Sequence, residues 1–131
     1  MSKQLRPLFS ALCGAAVLVL AGCGSADVGP TGTTCPTGGT QLTAENFGNN
    51  FFTTYCTRCH SSELSGIFQR HGAPPPMNFN THAGVKEWSK NIDAWAGAGP
   101  DRVNTEMPGG NPEPSEDDRR KLSEWLACGA P

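Results

Sequence analysis

An all-α fold of three main helices is what this sequence predicts, on three observations. Apolar and aromatic residues recur at helical spacing in three separate stretches. No stretch alternates apolar and polar residues over the length of a strand, and no internal repeat is present. Between the three stretches lie segments rich in Gly, Pro and Asn, the residues that stop helices and make turns.

The first helix is expected over about 43–58. Thr43 suits its N-cap and Glu45 its first turn, while Phe47, Phe51 and Tyr55 follow one another at i, i+4 and i+8 on one face. The second is expected over about 81–96, with Val85, Trp88, Ile92 and Trp95 as its stripe. The third is expected over about 115–128. Ser115 and Asp118 form a box-like cap, Leu122, Trp125 and Leu126 make a buried stripe, and Gly129 ends it. Arg119-Arg120-Lys121 directly follows Glu116-Asp117-Asp118, which reads as a helix with its dipole complemented and not as a docking patch.

Ahead of the domain, residues 1–22 read as a lipoprotein signal peptide. Lys3 and Arg6 supply the positive start, an apolar run too short to span a bilayer follows, and Leu20-Ala21-Gly22-Cys23 resembles a lipobox. That resemblance implies cleavage before Cys23 and its acylation; an ordinary secretory signal or an uncleaved anchor is the alternative. Either way the chain is exported to the periplasmic face of a bacterial membrane, with Gly24 slightly favouring the outer membrane by analogy with enteric bacteria. Residues 23–40, rich in Gly, Thr and Pro, read as a flexible tether, and 41–131 as one domain. The whole chain carries a net charge of −2, and loss of Lys3 and Arg6 makes the mature chain more acidic. With no basic stripe or interleaved aromatics, nucleic acid is not expected as a partner.

The chemistry is concentrated in Cys56-Thr57-Arg58-Cys59-His60, the attachment signature of a c-type haem. Two thiols at this spacing match the two porphyrin vinyl groups and form thioethers; the adjacent imidazole of His60 then reaches the iron. The other cysteines of the six fall into place around it. Cys13 leaves with the signal and Cys23 takes lipid, so Cys35 and Cys128 remain. An oxidising compartment permits them to pair, although unpaired thiols or a bridge to another protein would also fit. A bridge over so long a loop would contribute ~3–5 kcal/mol in the chain-entropy account. With 16 Gly and 11 Pro, the chain can build only a thin core, so one covalently attached haem is expected to supply the missing apolar surface.

For the second axial position Met107 is expected, because Asn104-Thr105-Glu106-Met107-Pro108-Gly109-Gly110 is a loop able to present a thioether to the far face of a ring. Met77, after Pro74-Pro75-Pro76, suits core filling better. His71, His82 or an open position would also be compatible with the motif. Paired His and Met ligands suit an electron carrier, and the thioether raises the potential.

On the haem motif at the end of the first helix, the Met107-Pro108 loop and the last helix ending in Trp125-Leu126-Ala127-Cys128, the chain resembles the class I monohaem cytochromes c over about 43–131. The resemblance implies a small cytochrome c-like fold in which the three main helices wrap one haem and the first and last cross near its edge, bringing Cys35 towards Cys128. It also implies a proline-containing loop whose carbonyl orients the proximal imidazole, for which Gly72-Ala73-Pro74-Pro75 stands in the right place. Arg70, Arg102 and Trp88 are possible propionate donors. The segment 61–80 is longer and more polar than the family pattern, and the Cys35–Cys128 pair is not part of it.

The function expected from this reading is electron transfer by a membrane-tethered carrier cycling between Fe(III) and Fe(II), with Cys56, Cys59, His60 and Met107 as the site, no catalytic residue and no small-molecule substrate. Its partners would be redox proteins (an oxidase, reductase or dehydrogenase) and the lipid bilayer through acylated Cys23. A fixed subunit of a larger oxidoreductase complex is equally compatible. A peroxidase-like enzyme or gas sensor would need an open axial site and a distal group such as His71 or His82. A zinc site from Cys56, Cys59, His60 and His71, or a Cys56–Cys59 thiol–disulfide pair, would need ligand spacing or strands that the sequence does not show.

Overall fold

The computed structural model describes residues 26–131, and among them the fold is all-α, as expected. Five α-helices follow one another: α1 (Asn49–Tyr55), α2 (Gly66–Gln69), α3 (His82–Glu87), α4 (Ser89–Ala96) and α5 (Glu116–Ala127). A π-helical turn, Ala44–Gly48, leads into α1. The signal peptide and Cys23 lie outside the described residues, and no described helix is long and apolar enough to cross a membrane.

The expected caps form. Thr43 accepts from the Asn46 amide at 3.1 Å, and the Asn46 side chain accepts from the Thr43 amide at 2.8 Å, a reciprocal box. Its partner is therefore Asn46. The amides of Phe47 and Gly48 both reach the Thr43 carbonyl, which widens this first turn from α to π. Ser115 caps α5 by accepting from the Asp118 amide at 3.1 Å. The second expected helix is divided. Thr81 caps α3, and Trp88 at φ −99° and ψ 12° leaves helical geometry before α4 begins. Ile92 and Ala96 of α4 are buried, whereas Trp95 is 37 % exposed. The single turn α2 has no counterpart among the sequence expectations.

Trp125 of α5 is the centre of packing, 1 % exposed. It meets Phe47 edge-on at 6.2 Å, lies 6.0 Å from Phe52, and stacks on His82. Gly48 allows this approach: a β-carbon there would lie 2.6 Å from the indole ring. Each such aromatic pair contributes about 0.5–1.5 kcal/mol beyond burial. The chain ends are joined by the Cys35–Cys128 disulfide, which spans 93 residues with Cα atoms 4.7 Å apart. The Ala44 amide adds a bond to the Pro131 carbonyl at 2.8 Å.

The flexible tether over 23–40 needs correction where it is described. Thr31 is fully buried; its amide and hydroxyl both donate to the Asp93 carboxylate of α4, at 3.0 and 2.9 Å. The Ser123 hydroxyl donates to the same carboxylate from α5. The Gly29 carbonyl accepts from the Asn104 side chain at 2.8 Å, and Asp27 pairs with Arg102 at 3.0 Å. The composition of this segment is that of a linker, but its threonine supplies the donors that a half-buried Asp93 requires. The folded unit therefore begins well before residue 41. Thr31→Ala should lower stability by ~1–3 kcal/mol in denaturant unfolding, whereas a free tether would show no change.

Candidate functional site

A largely apolar cavity of about 430 Å³ opens between the end of α1, the loop after α2, α4 and the segment around Met107. Cys56, Cys59, His60 and Met107 all line it, so the fold gathers at one cavity the residues singled out by the sequence. Phe51, Tyr55, Ile92 and Trp95 form much of the apolar wall.

Cys56 caps α1, and the amides of Cys59 and His60 turn back to its carbonyl at 3.1 and 2.9 Å. This tight turn carries both thiols and the imidazole to the cavity in succession. Cys56 and Cys59 are not bonded to each other. Burial pushes the Cys56 thiol up to about 12, and the nearby Arg58 cation offsets this only in part. A thiol–disulfide centre needs the opposite, a thiolate at neutral pH. Nor do the Cys56, Cys59, His60 and His71 side chains form a zinc site. Among the described residues, no three His, Cys, Asp or Glu side chains converge on a point that could hold a metal ion.

His60 is 8 % exposed, and its ring stacks on Phe79 with centroids 4.5 Å apart. Nδ1 lies 3.0 Å from the Met77 carbonyl. A carbonyl can only accept, so Nδ1 carries the proton and Nε2 keeps its lone pair. Burial holds the ring's pKa below the usual imidazole value; the Met77 carbonyl opposes this and the Arg70 cation reinforces it. The ring is thus neutral, oriented and equipped with a free donor nitrogen, the state that binds a metal. The orienting carbonyl is that of Met77, not one from 72–75: three consecutive prolines carry the loop further before it turns to the ring.

Arg70 also needs correction as a propionate donor. It is 3 % exposed, and all five of its N–H groups are used within the protein. Nε donates to the Ala73 carbonyl, Nη1 to the Ser61 carbonyl and the Asn78 side chain, and Nη2 to the carbonyls of Pro74 and Met77. Arg102 is spent on Asp27 and does not line the cavity. Trp88 does not line it either, although its indole N–H is buried without a partner. Among the remaining candidate ligands, His71 and Met77 line the cavity. His82 instead bonds the Ala130 carbonyl at 2.6 Å and stacks on Trp125.

Met107 is 37 % exposed on a backbone held at both ends of its residue. Its amide donates to the Trp95 carbonyl at 3.0 Å, and its carbonyl accepts from Arg119 at 2.6 Å. Arg58, within the Cys-Cys-His turn, donates to the carbonyls of Gly110 and Asn111 and so links the two sides of the cavity. The donor set fits a haem attached through two cysteines: two adjacent free thiols, an imidazole with Nε2 unengaged, a thioether, and an apolar cavity between them.

Sequence reading missed Phe52 and Phe79, and it missed the burial of Arg70 and Arg119. Arg119 had a signal, since it sits three residues before Leu122 and seven before Leu126 on the buried stripe of α5. Arg70 had none, because its partners are carbonyls of an irregular loop. Arg70→Gln should destabilise the protein by ~2–5 kcal/mol and speed amide exchange over residues 61–79 before the rest of the chain. Residue-resolved hydrogen exchange measures both effects. Comparison with family models, with curated proteins and with solved structures finds no match to this chain.

Proposed function

We propose that this protein is a membrane-tethered electron-transfer protein of the class I cytochrome c type, with one haem c bonded to Cys56 and Cys59 and ligated by His60 and Met107. The observation that carries the reading is the state of His60. Its Nδ1 proton is committed to the Met77 carbonyl, and its free Nε2 belongs to a ring at an apolar cavity whose lining also includes the Met107 thioether. A bound haem would supply a one-electron Fe(III)/Fe(II) couple.

The chain's own residues do the remaining work. Burial and the Arg70 cation favour the neutral His60 ring, and Met77 and Phe79 hold it in register. Phe51, Tyr55, Ile92 and Trp95 would exclude water from the faces of the ring. The high thiol pKa of Cys56 is no obstacle to a thioether, which carries no charge to bury. Export and acylation at Cys23 complete the reading. Among the described residues, the disulfide between Cys35 and Cys128 leaves Cys56 and Cys59 as the thiols available for attachment.

Protein matured with haem-attachment machinery should carry one haem per chain that stays with the polypeptide through denaturation and acidic organic extraction. A pigment that extracts freely, or a colourless protein, would refute the reading. Met107→Ala should abolish the near-infrared methionine-to-iron band, lower the potential and admit carbon monoxide to the ferrous protein. Met77→Ala should leave the band in place; if it alone removes the band, the thioether comes from Met77.

A further inference from the structure

We propose that Arg119 is the positioning residue for the Met107 ligand and that its uncompensated positive charge raises the reduction potential of the site. This rests on the reading of Met107 as an axial ligand. Arg119 is 2 % exposed, on the face of α5 that also buries Leu122 and Leu126. Its Nη1 lies within bonding distance of three carbonyls: Ala96 at 2.9 Å, Asn104 at 2.9 Å and Met107 at 2.6 Å. These belong to the end of α4, the start of the Met107 loop and Met107 itself. One guanidinium thus fixes where the loop leaves the body and where the ligand residue sits.

The contact has a steric logic. The Met107 loop holds no regular structure, so its carbonyls have no helix or sheet partners and must find other donors. A planar guanidinium holds that one nitrogen, Nη1, in a fixed direction, which positions loop backbone better than a freely rotating ammonium does. Across the cavity Arg70 does the same for the Met77 carbonyl that orients His60. Each axial residue therefore has a buried arginine behind its backbone.

The charge itself is unpaired. Among the described residues the ion pairs are Arg102–Asp27, Arg120–Glu116 and Lys121–Asp117, and none involves Arg119. Glu113 is the carboxylate that offsets the charge most, from beyond ion-pair distance. A buried cation bonded to the carbonyl of the ligand residue itself disfavours the extra positive charge of the ferric state and so favours the ferrous one. The lysine variant keeps the charge and loses the planar guanidinium; the glutamine variant loses both.

The test uses the full chain loaded with haem. In Arg119→Gln the oxidised-to-reduced ratio in a fixed redox buffer should rise about tenfold, equal to ~59 mV for one electron. The methionine-to-iron band should weaken, and amides over 104–109 should exchange at least about tenfold faster while those of α1 do not change. In Arg119→Lys the ratio should stay within about threefold of wild type while the loop amides still exchange faster. The proposal is overturned if the glutamine variant keeps both band and ratio, if the lysine variant shifts the ratio as far as the glutamine one, or if neither variant folds. A wild-type protein that binds haem covalently but has no methionine-to-iron band instead refutes Met107 as ligand, and the two failures are thereby told apart.

Discussion

Irregular backbone surrounds the cavity on two sides, and its carbonyls need donors that no helix or sheet provides. Two buried guanidinium groups meet that need. Arg70 spends every N–H it has on the loop behind His60, four of the five acceptors being main-chain carbonyls. Arg119 collects three carbonyls at the base of the Met107 segment. Neither makes an ion pair with a carboxylate among the described residues. A buried charge is tolerated when hydrogen bonds replace its hydration, completely at Arg70 and through Nη1 at Arg119, and both loops take their shape from that condition. The helices supply the frame, but the arginines decide where the loops run within it.

The same constraint links local geometry to chemistry. Because Arg70 gathers the 73–78 turn, the Met77 carbonyl arrives where His60 Nδ1 can donate to it. The tautomer of His60 is thus set by a loop, and the loop by an arginine. Phe79 adds a stacking surface beneath the ring while its amide bonds the His60 carbonyl. The His60 side of the cavity is therefore one connected network running from residue 60 to residue 79. Its long, polar and proline-rich composition becomes intelligible as the material from which that network is made.

Legibility differed by kind of interaction. The three helical stretches, the caps at Thr43 and Ser115, and the buried stripe of α5 follow from spacing and side-chain chemistry close in sequence, and those were readable. The break at Trp88 and the π turn before α1 were not, because the apolar spacing runs on through both without a signal of either. Cys56, Cys59, His60 and Met107 stood out as residue types, and all four line one cavity. The groups that orient them did not stand out, since main-chain carbonyls leave no mark in a sequence. Trp95 shows the limit from the other side: its place on a helical stripe reads as core, yet it borders the cavity and stays partly exposed.

The anchoring of Thr31 to Asp93, and of Asp27 to Arg102, changes the reach of the amino-terminal leash. If Cys23 bears lipid as proposed, only residues 24–26 separate it from the first pinned side chain. At full stretch that is on the order of 14 Å, little more than a headgroup layer. The globule would then rest against the bilayer with a restricted set of orientations, and its docking partners would have to approach from the sides left open. A linker read from composition promises a roaming shuttle; a clasped one describes a protein moored at a fixed berth.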